Sequence, residues 1–180
     1  MPNQTVFTIG HSTRELPAFI DLLKENGVTC LVDVRTVPRS RTNPQFNRET
    51  LPDALHAAGV GYLHLPGLGG LRRVRPDSPN TGWRNASFRG YADYIGTPEF
   101  AENLARLMGL AARERVALMC AEAVPWRCHR SLIGDALLVR GIPVEDIMGP
   151  GRTQPRALTP WAVVRGTEIT YPPADESPAS

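Results

Sequence analysis

Short apolar runs alternate with amphipathic segments along most of the chain. TVFTIG (5–10) reads as a buried strand. LPAFIDLLKENG follows, with Leu16, Phe19, Ile20 and Leu23 at helical spacing and Gly27 as a stop. STRE (12–15) matches a capping box, which would start this helix at Ser12. Pro17 would then lie too deep in the helix, where its ring and missing N–H are costly, so a start at Leu16 fits better. That choice leaves His11 and Ser12 in the preceding turn. The pattern repeats with a strand at TCLVDV (29–34), a helix around LPDALHAAG ending at Gly59, and a strand at VGYLHL (60–65). A Gly- and Arg-rich stretch runs from Pro66 to about Arg89. TPEFAENLARLMGLAAR then predicts a helix with Thr97 as N-cap, Pro98 at its first position, and Phe100, Leu104, Leu107 and Ala111 on one face. RVALMC (115–120) is a fourth strand, PWRCHRSLIGDALLVRG a helix starting near Pro125 and ending at Gly141, and PVEDIM (143–148) a fifth strand. WAVVRGTEITYP suggests a β-hairpin turning at Arg165-Gly166, and residues 172–180 read as a disordered tail.

Strands alternating with helices in this way predict a three-layer α/β sandwich with a mostly parallel five-stranded sheet, a single domain over residues 1–171. Ligands of such folds bind beyond the carboxyl ends of the strands. The chain's unusual residues fall there repeatedly. Gly10, His11 and Ser12 follow the first strand, and Asp33 and Arg35 end the second. His64 and LGGLRR close the third, and Cys120 and Glu122 close the fourth. Strand ends of a parallel sheet share one edge, so these groups can converge.

Composition narrows the class. With 180 residues, 42% of them hydrophobic, the chain can bury one sizeable core. MPNQTVFTIGHS lacks the basic and apolar blocks of a signal peptide, and no apolar run approaches membrane-spanning length, so no membrane association is expected. Three cysteines are too few for a disulfide framework and suit a reducing cytoplasm. The formal net charge is only +2, but its distribution is uneven. Arg35, Arg39, Arg41 and Arg48 are the only charges between Asp33 and Glu49, and Arg72, Arg73, Arg75, Arg84 and Arg89 face a single Asp77. A high-GC genome explains why Lys24 is the only lysine; it does not explain why arginines gather in two loops. Such clustering points to an anionic partner or substrate.

The densest chemistry lies in LMCAEAVPWRCHRS (118–131). Pro125 suits a first helical turn, which would place free backbone N–H groups near Val124 to Cys128. Arg127, His129 and Arg130 then crowd the positive end of the helix, where a bound anion would reverse an otherwise unfavourable placement. Alternatively, the arginines point into solvent. An electropositive setting lowers a thiol pKa, so Cys120 is a candidate nucleophile, or else a small buried residue closing its strand. Glu122 could move a proton or pair with an arginine. Cys128 could be the helix's core-facing residue, and Cys30 is packing. The Cys-x5-Arg loop of cysteine phosphatases fails here, because six residues separate Cys120 from Arg127 and nine separate it from Arg130. LVDVR resembles a strand of rhodanese-type sulfurtransferases over five residues only. The spacing of Cys120, Cys128 and His129 is not that of a structural zinc site, though a site completed by His11 or His64 is geometrically open. No GxGxxG or phosphate-loop lysine motif is present, so neither cofactor nor metal is expected.

Taken together, TIGHS, LVDVRTVPRSRTNPQFN, YLHLPGLGG and LMCAEAVPWRCHRSLI resemble, in order and spacing, the domain of unknown function 488 family. LTPWAVVRGTEITYP is similar to the ends of some members. The resemblance implies a site drawn from His11 and Ser12; from Asp33, Arg35, Pro38, Ser40 and Phe46; from Gly69 and Gly70; and from Cys120, Glu122, Cys128, His129 and Arg130. It supplies no reaction. Three functions remain open from the residues. The first is an enzyme acting on an anionic, phosphorylated or nucleotide-like small molecule. In it Arg35, Arg130 and the helix N-terminus hold the anion, and loops carrying Arg39 and Arg41 close over it. His11, Glu122 and His129 serve as acid/base groups, and Cys120 as nucleophile. The second is a nucleic-acid-binding or regulatory module, with Phe46, Trp83 and Phe88 as stacking groups beside the arginines. The third is a metal or redox sensor built on Cys120 and Cys128.

Overall fold

The computed structural model describes residues 5–173 of the chain. Beyond Pro173, the disordered tail expected at 172–180 lies outside the described residues. Five parallel strands, β1 (Val6–Gly10), β2 (Cys30–Asp33), β3 (Gly61–His64), β4 (Val116–Cys120) and β5 (Val144–Gly149), lie in the order β3-β2-β4-β1-β5. β6 (Arg152–Pro155) pairs antiparallel with β5 and makes the sheet six-stranded. The five-strand expectation missed it because RTQP is exposed throughout and has no apolar alternation, as suits an edge strand.

Helices α1 (Leu16–Glu25) and α2 (Leu51–Ala57) cover one face of the sheet, and α3 (Ala86–Ile95), α4 (Pro98–Ala111) and α5 (Arg130–Leu138) cover the other. The pleat sends alternate strand residues to the two cores. Phe7, Ile9, Leu31, Ala117 and Met119 pack with Phe19, Leu23, Leu51 and Leu55. Val6, Val32, Val116, Leu118 and Cys120 pack with Phe100, Leu104, Leu107, Leu132 and Ile133. α1 starts at Leu16 with Pro17 in its first turn, as the cost of a deeper proline requires. Thr97 caps α4, its hydroxyl accepting the Phe100 N–H at 3.2 Å.

Three local readings are corrected. α3 begins at the end of the stretch read as Gly- and Arg-rich and runs on to Ile95, where no helix was expected. Its apolar pattern is broken by Gly90, where a Cβ would fall 2.2 Å from the Arg72 carbonyl. The helix expected from Pro125 is instead a 3-10 turn at Pro125–Arg127 followed by α5, which starts at Arg130 with His129 as N-cap. The C-terminal hairpin, β7 (Val163–Arg165) and β8 (Glu168–Thr170), pairs Arg165 with Glu168, so Gly166 and Thr167 make the turn. A buried carboxylate ties this segment to the domain. Asp135 of α5 is fully buried; it bonds Arg156 at 2.9 Å, accepts the Tyr171 hydroxyl at 2.8 Å and accepts the Thr159 hydroxyl at 2.6 Å.

The topology opens a crevice. β4 lies between β1 and β2; the helices after β1 and β2 go to one face, and α5 after β4 goes to the other. Chains leaving neighbouring strands toward opposite faces part at the carboxyl edge, where α/β folds take their ligands.

Urea unfolding should rank two anchors. Asp135→Ala leaves Arg156 and Tyr171 without their buried partner and is expected to lose about 3–5 kcal/mol, whereas Thr97→Ala removes one cap and should lose about 1 kcal/mol. Equal losses would contradict this assignment.

Candidate active site

Arg130 opens α5 and is wholly buried. Its Nη1 donates to Cys120 Sγ at 2.8 Å and to the Glu122 carbonyl at 2.7 Å, and its Nη2 donates to the Ala123 carbonyl at 3.2 Å. Among the described residues it makes no ion pair with a carboxylate. A guanidinium out of water needs a counter-charge. The group placed to supply it is the Cys120 thiol, at the end of β4. Burial pushes that thiol's pKa up, but a hydrogen bond from Cys128 and the charge of Arg130 together bring it below its ordinary value.

Gly10 makes this approach possible. At the end of β1, a Cβ on Gly10 would lie 1.6 Å from the Glu122 carbonyl oxygen and 2.8 Å from Arg130 Nη1. The chain then continues along the β4 exit, His11 N–H bonding the Cys120 carbonyl and Ser12 N–H the Ala121 carbonyl, both at 2.9 Å. Ser12 takes a left-handed backbone, φ 48°, to make that turn.

Cys128 and His129 complete the cluster. Cys128 Sγ accepts the Arg130 backbone N–H at 3.4 Å, and its own pKa is raised by burial and by the ionisable Cys120 beside it. His129 Nε2 lies 2.9 Å from the Val34 carbonyl and must donate to it. Nδ1 is therefore the unprotonated nitrogen, and it faces Cys128 Sγ at 3.5 Å. Burial, with Arg130 and Arg72 nearby, lowers the His129 pKa to about 4, so the ring is neutral at pH 7. Gly70 permits this packing, since a Cβ there would fall 2.7 Å from Nδ1.

Cys120, Cys128 and His129 share a cavity of about 440 Å³. Thr36, Val37, Gly70 and Leu71 form one wall, Asn85, Ser87 and Phe88 another, and Ala121, Glu122 and Arg127 a third, with Arg35 also contributing. Glu122 and Arg127 are exposed at its mouth. Thr36, Val37, Leu71, Asn85 and Ser87 escaped the sequence reading; the signal that could have found them is adjacency to the DVR and LGG blocks and to the Asn85 cap of α3.

Other expected site residues form a second, inner layer. Arg35 is bound to Asp33 through Nη2 and Oδ2 at 2.7 Å, and both are buried. It also donates to the Phe46 carbonyl at 2.7 Å. Tyr62 donates to Asp33 at 2.5 Å, and His64 meets the Arg35 carbonyl at 2.7 Å. His11 stacks on Phe46 at 4.5 Å, with Nδ1 on the Ser12 carbonyl and Nε2 toward Arg35. Its burial lowers its pKa. His11, Ser12, Asp33, Phe46 and Gly69 thus stand behind the cavity wall, and His11, expected as an acid/base group, has both ring nitrogens engaged internally. Ser40 instead organises its own loop, accepting the Asn43 N–H at 3.0 Å.

Of the N–H groups expected to be free at Val124 to Cys128, two are engaged. The Arg127 and Cys128 N–H groups bond the Val124 and Pro125 carbonyls, and Arg130, expected to hold an anion, is turned onto Cys120. Several arginines of the two loops are also engaged within the protein. Besides Arg35, Arg39 pairs with Glu49 and Arg75 with Asp77; Arg72 lies 3.7 Å over the Tyr94 ring; Arg89 bonds the Trp83 carbonyl. Arg39 and Arg41 are exposed and off the cavity. Trp83 stacks on Phe88 and meets Trp161 and Tyr171 in the core. Among the described residues no group of three or more His, Cys, Asp or Glu side chains is placed to hold a metal ion, and no helix is long and apolar enough to cross a membrane.

The architecture is therefore an α/β sandwich with a thiol–guanidinium cluster at the carboxyl edge of its sheet. The chain belongs to the family described as Domain of unknown function DUF488, which matches residues 15–137 and so takes in Asp33 through Arg130. It is also 40% identical, over 60 residues, to a "UPF0276 protein" of Caulobacter sp. (strain K31), a match covering 33% of this chain and 22% of that protein. The chain thus spans about a fifth of that relative's length. No solved structure matches it.

Two measurements test the geometry. Gly10→Ala should lose about 3 kcal/mol or more in urea unfolding, because backbone and a buried guanidinium must both move. His129 binds its proton more readily unfolded, near pH 6.5, than folded, near about 4. Stability should therefore fall as pH drops through that window, by about 1–3 kcal/mol from this group, and His129→Gln should flatten that part of the profile. An unchanged profile would show that His129 is not held neutral.

Proposed function

We propose that the chain is an enzyme in which the Cys120 thiolate attacks an anionic substrate held in the cavity at the carboxyl edge of the sheet. The observation that carries this reading is the 2.8 Å contact between buried Arg130 Nη1 and Cys120 Sγ. A neutral Cys120 would meet the Glu122 carbonyl only at 3.6 Å, an oxygen that Arg130 already occupies at 2.7 Å. The ionised sulfur answers the buried cation and lies on the cavity wall.

Arg127 supports an anionic substrate. It is exposed at the mouth and makes no ion pair among the described residues. Arg35 adds charge from behind, offset by Asp33. Glu122, exposed on the same rim, serves as the proton donor or acceptor. Sulfur bonds to the electrophilic atom of the substrate, and the leaving group departs with the bonding electrons and takes a proton at the rim.

Alkylation of the folded protein, resolved by residue, tests this. Cys120 should react with an apparent pKa below the free-thiol value of about 8.5. Negatively charged iodoacetate should be favoured over neutral iodoacetamide by about tenfold relative to a free thiol, and Arg127→Gln should abolish that preference. A Cys120 inert until unfolding overturns the reading; a selectivity untouched by Arg127→Gln overturns its anionic part.

A further inference from the structure

We infer that Cys120 and Cys128 form a dithiol–disulfide couple whose substrate is a small anionic disulfide, with Cys120 as the attacking sulfur and Cys128 as the resolving one. This rests on the reading of Cys120 as a nucleophile and adds the bond it breaks.

The two sulfurs are neighbours in one site. Both line the same cavity, and both are held by Arg130: Cys120 through the guanidinium at 2.8 Å, Cys128 through the backbone N–H at 3.4 Å. They differ in what stands beside them. Cys120 has the cation, which favours its anion in the resting state. Cys128 has the His129 Nδ1 lone pair at 3.5 Å, fixed in place because Nε2 donates to the Val34 carbonyl. One sulfur is thus charged in advance, and the other has a base for the moment it must ionise. A single nucleophilic cysteine has no use for the second arrangement.

The steps balance. Cys120 S⁻ attacks one sulfur of the substrate disulfide; that S–S bond breaks, and the first substrate half leaves as thiolate. His129 Nδ1 takes the Cys128 proton, and Cys128 S⁻ attacks Cys120 Sγ. The mixed disulfide breaks, the Cys120–Cys128 bond forms, and the second half leaves as thiolate. It takes the proton held on His129, and the first takes one from water. The protein loses two electrons and the substrate gains them. Val37, Leu71 and Phe88 offer apolar surface for the substrate's carbon chain, and Arg127 offers charge for its anionic group.

The test treats the full chain with glutathione disulfide at pH 7, quenches with acid and maps peptides without reduction. The expected product of the unaltered protein is a peptide joining Cys120 to Cys128, with Cys30 unmodified. Cys128→Ser should stop at one glutathione on Cys120, and His129→Gln should slow bridging by about a hundredfold while first attack continues. A glutathione that persists on Cys120 of the unaltered protein overturns the couple and leaves the nucleophile standing. A Cys120 inert to both glutathione disulfide and alkylating agents overturns both. Modification of Cys128 in Cys120→Ser at the unaltered protein's rate overturns the order of attack.

Discussion

A guanidinium with no water around it and no carboxylate beside it has to be compensated by something else. In this chain Arg130 is that group, and the sulfur of Cys120 is what lies against it. The rest of the site follows from this contact. Gly10 must lack a side chain so that β1 and the β4 exit can close over the arginine. The Glu122 and Ala123 carbonyls must turn inward to accept from its two terminal nitrogens, which fixes the loop carrying Glu122. Placing the arginine at the first position of α5 puts Cys128 and His129 immediately before the helix, on the cavity that Cys120 also lines. Removing an ordinary surface ion pair costs little; an uncompensated buried cation is costly enough to organise what surrounds it.

Behind this cluster, the Asp33–Arg35 pair does a different task. It joins Tyr62, His64, Phe46 and His11 into one rigid layer beneath the cavity wall. Val34, between the paired residues, supplies the carbonyl that sets the His129 tautomer. The layer therefore acts on the chemistry through the ring it orients, without touching the cavity except at Arg35.

Much of the fold could be read from apolar spacing. The five parallel strands and the start of α1 at Leu16 follow from patterns in which burial and local preference agree. The sheet edge where Cys120 and Glu122 would meet was equally legible, since parallel strands must end together. What failed to show was whatever tertiary contact decides. α3 is masked by Gly90, required by the Arg72 carbonyl rather than by the helix itself. The start of α5 is displaced because Pro125 opens a separate 3-10 turn. Charge misled most. Arginines clustered in sequence look like a surface for anions, yet Arg35, Arg72, Arg89 and Arg130 are bonded inward. Sequence gives the sign of a side chain and not the direction in which it points.

Arg130, buried beside Cys120, should hold a negative charge on that sulfur in the folded protein at neutral pH. The ultraviolet absorbance of thiolate, titrated in the unaltered protein and in Cys120→Ser, reads that charge directly as the difference between the two curves. The expected difference is already well developed at pH 7 and is lost on acidification. A difference that emerges only where ordinary thiols ionise, or not at all before unfolding, would contradict it.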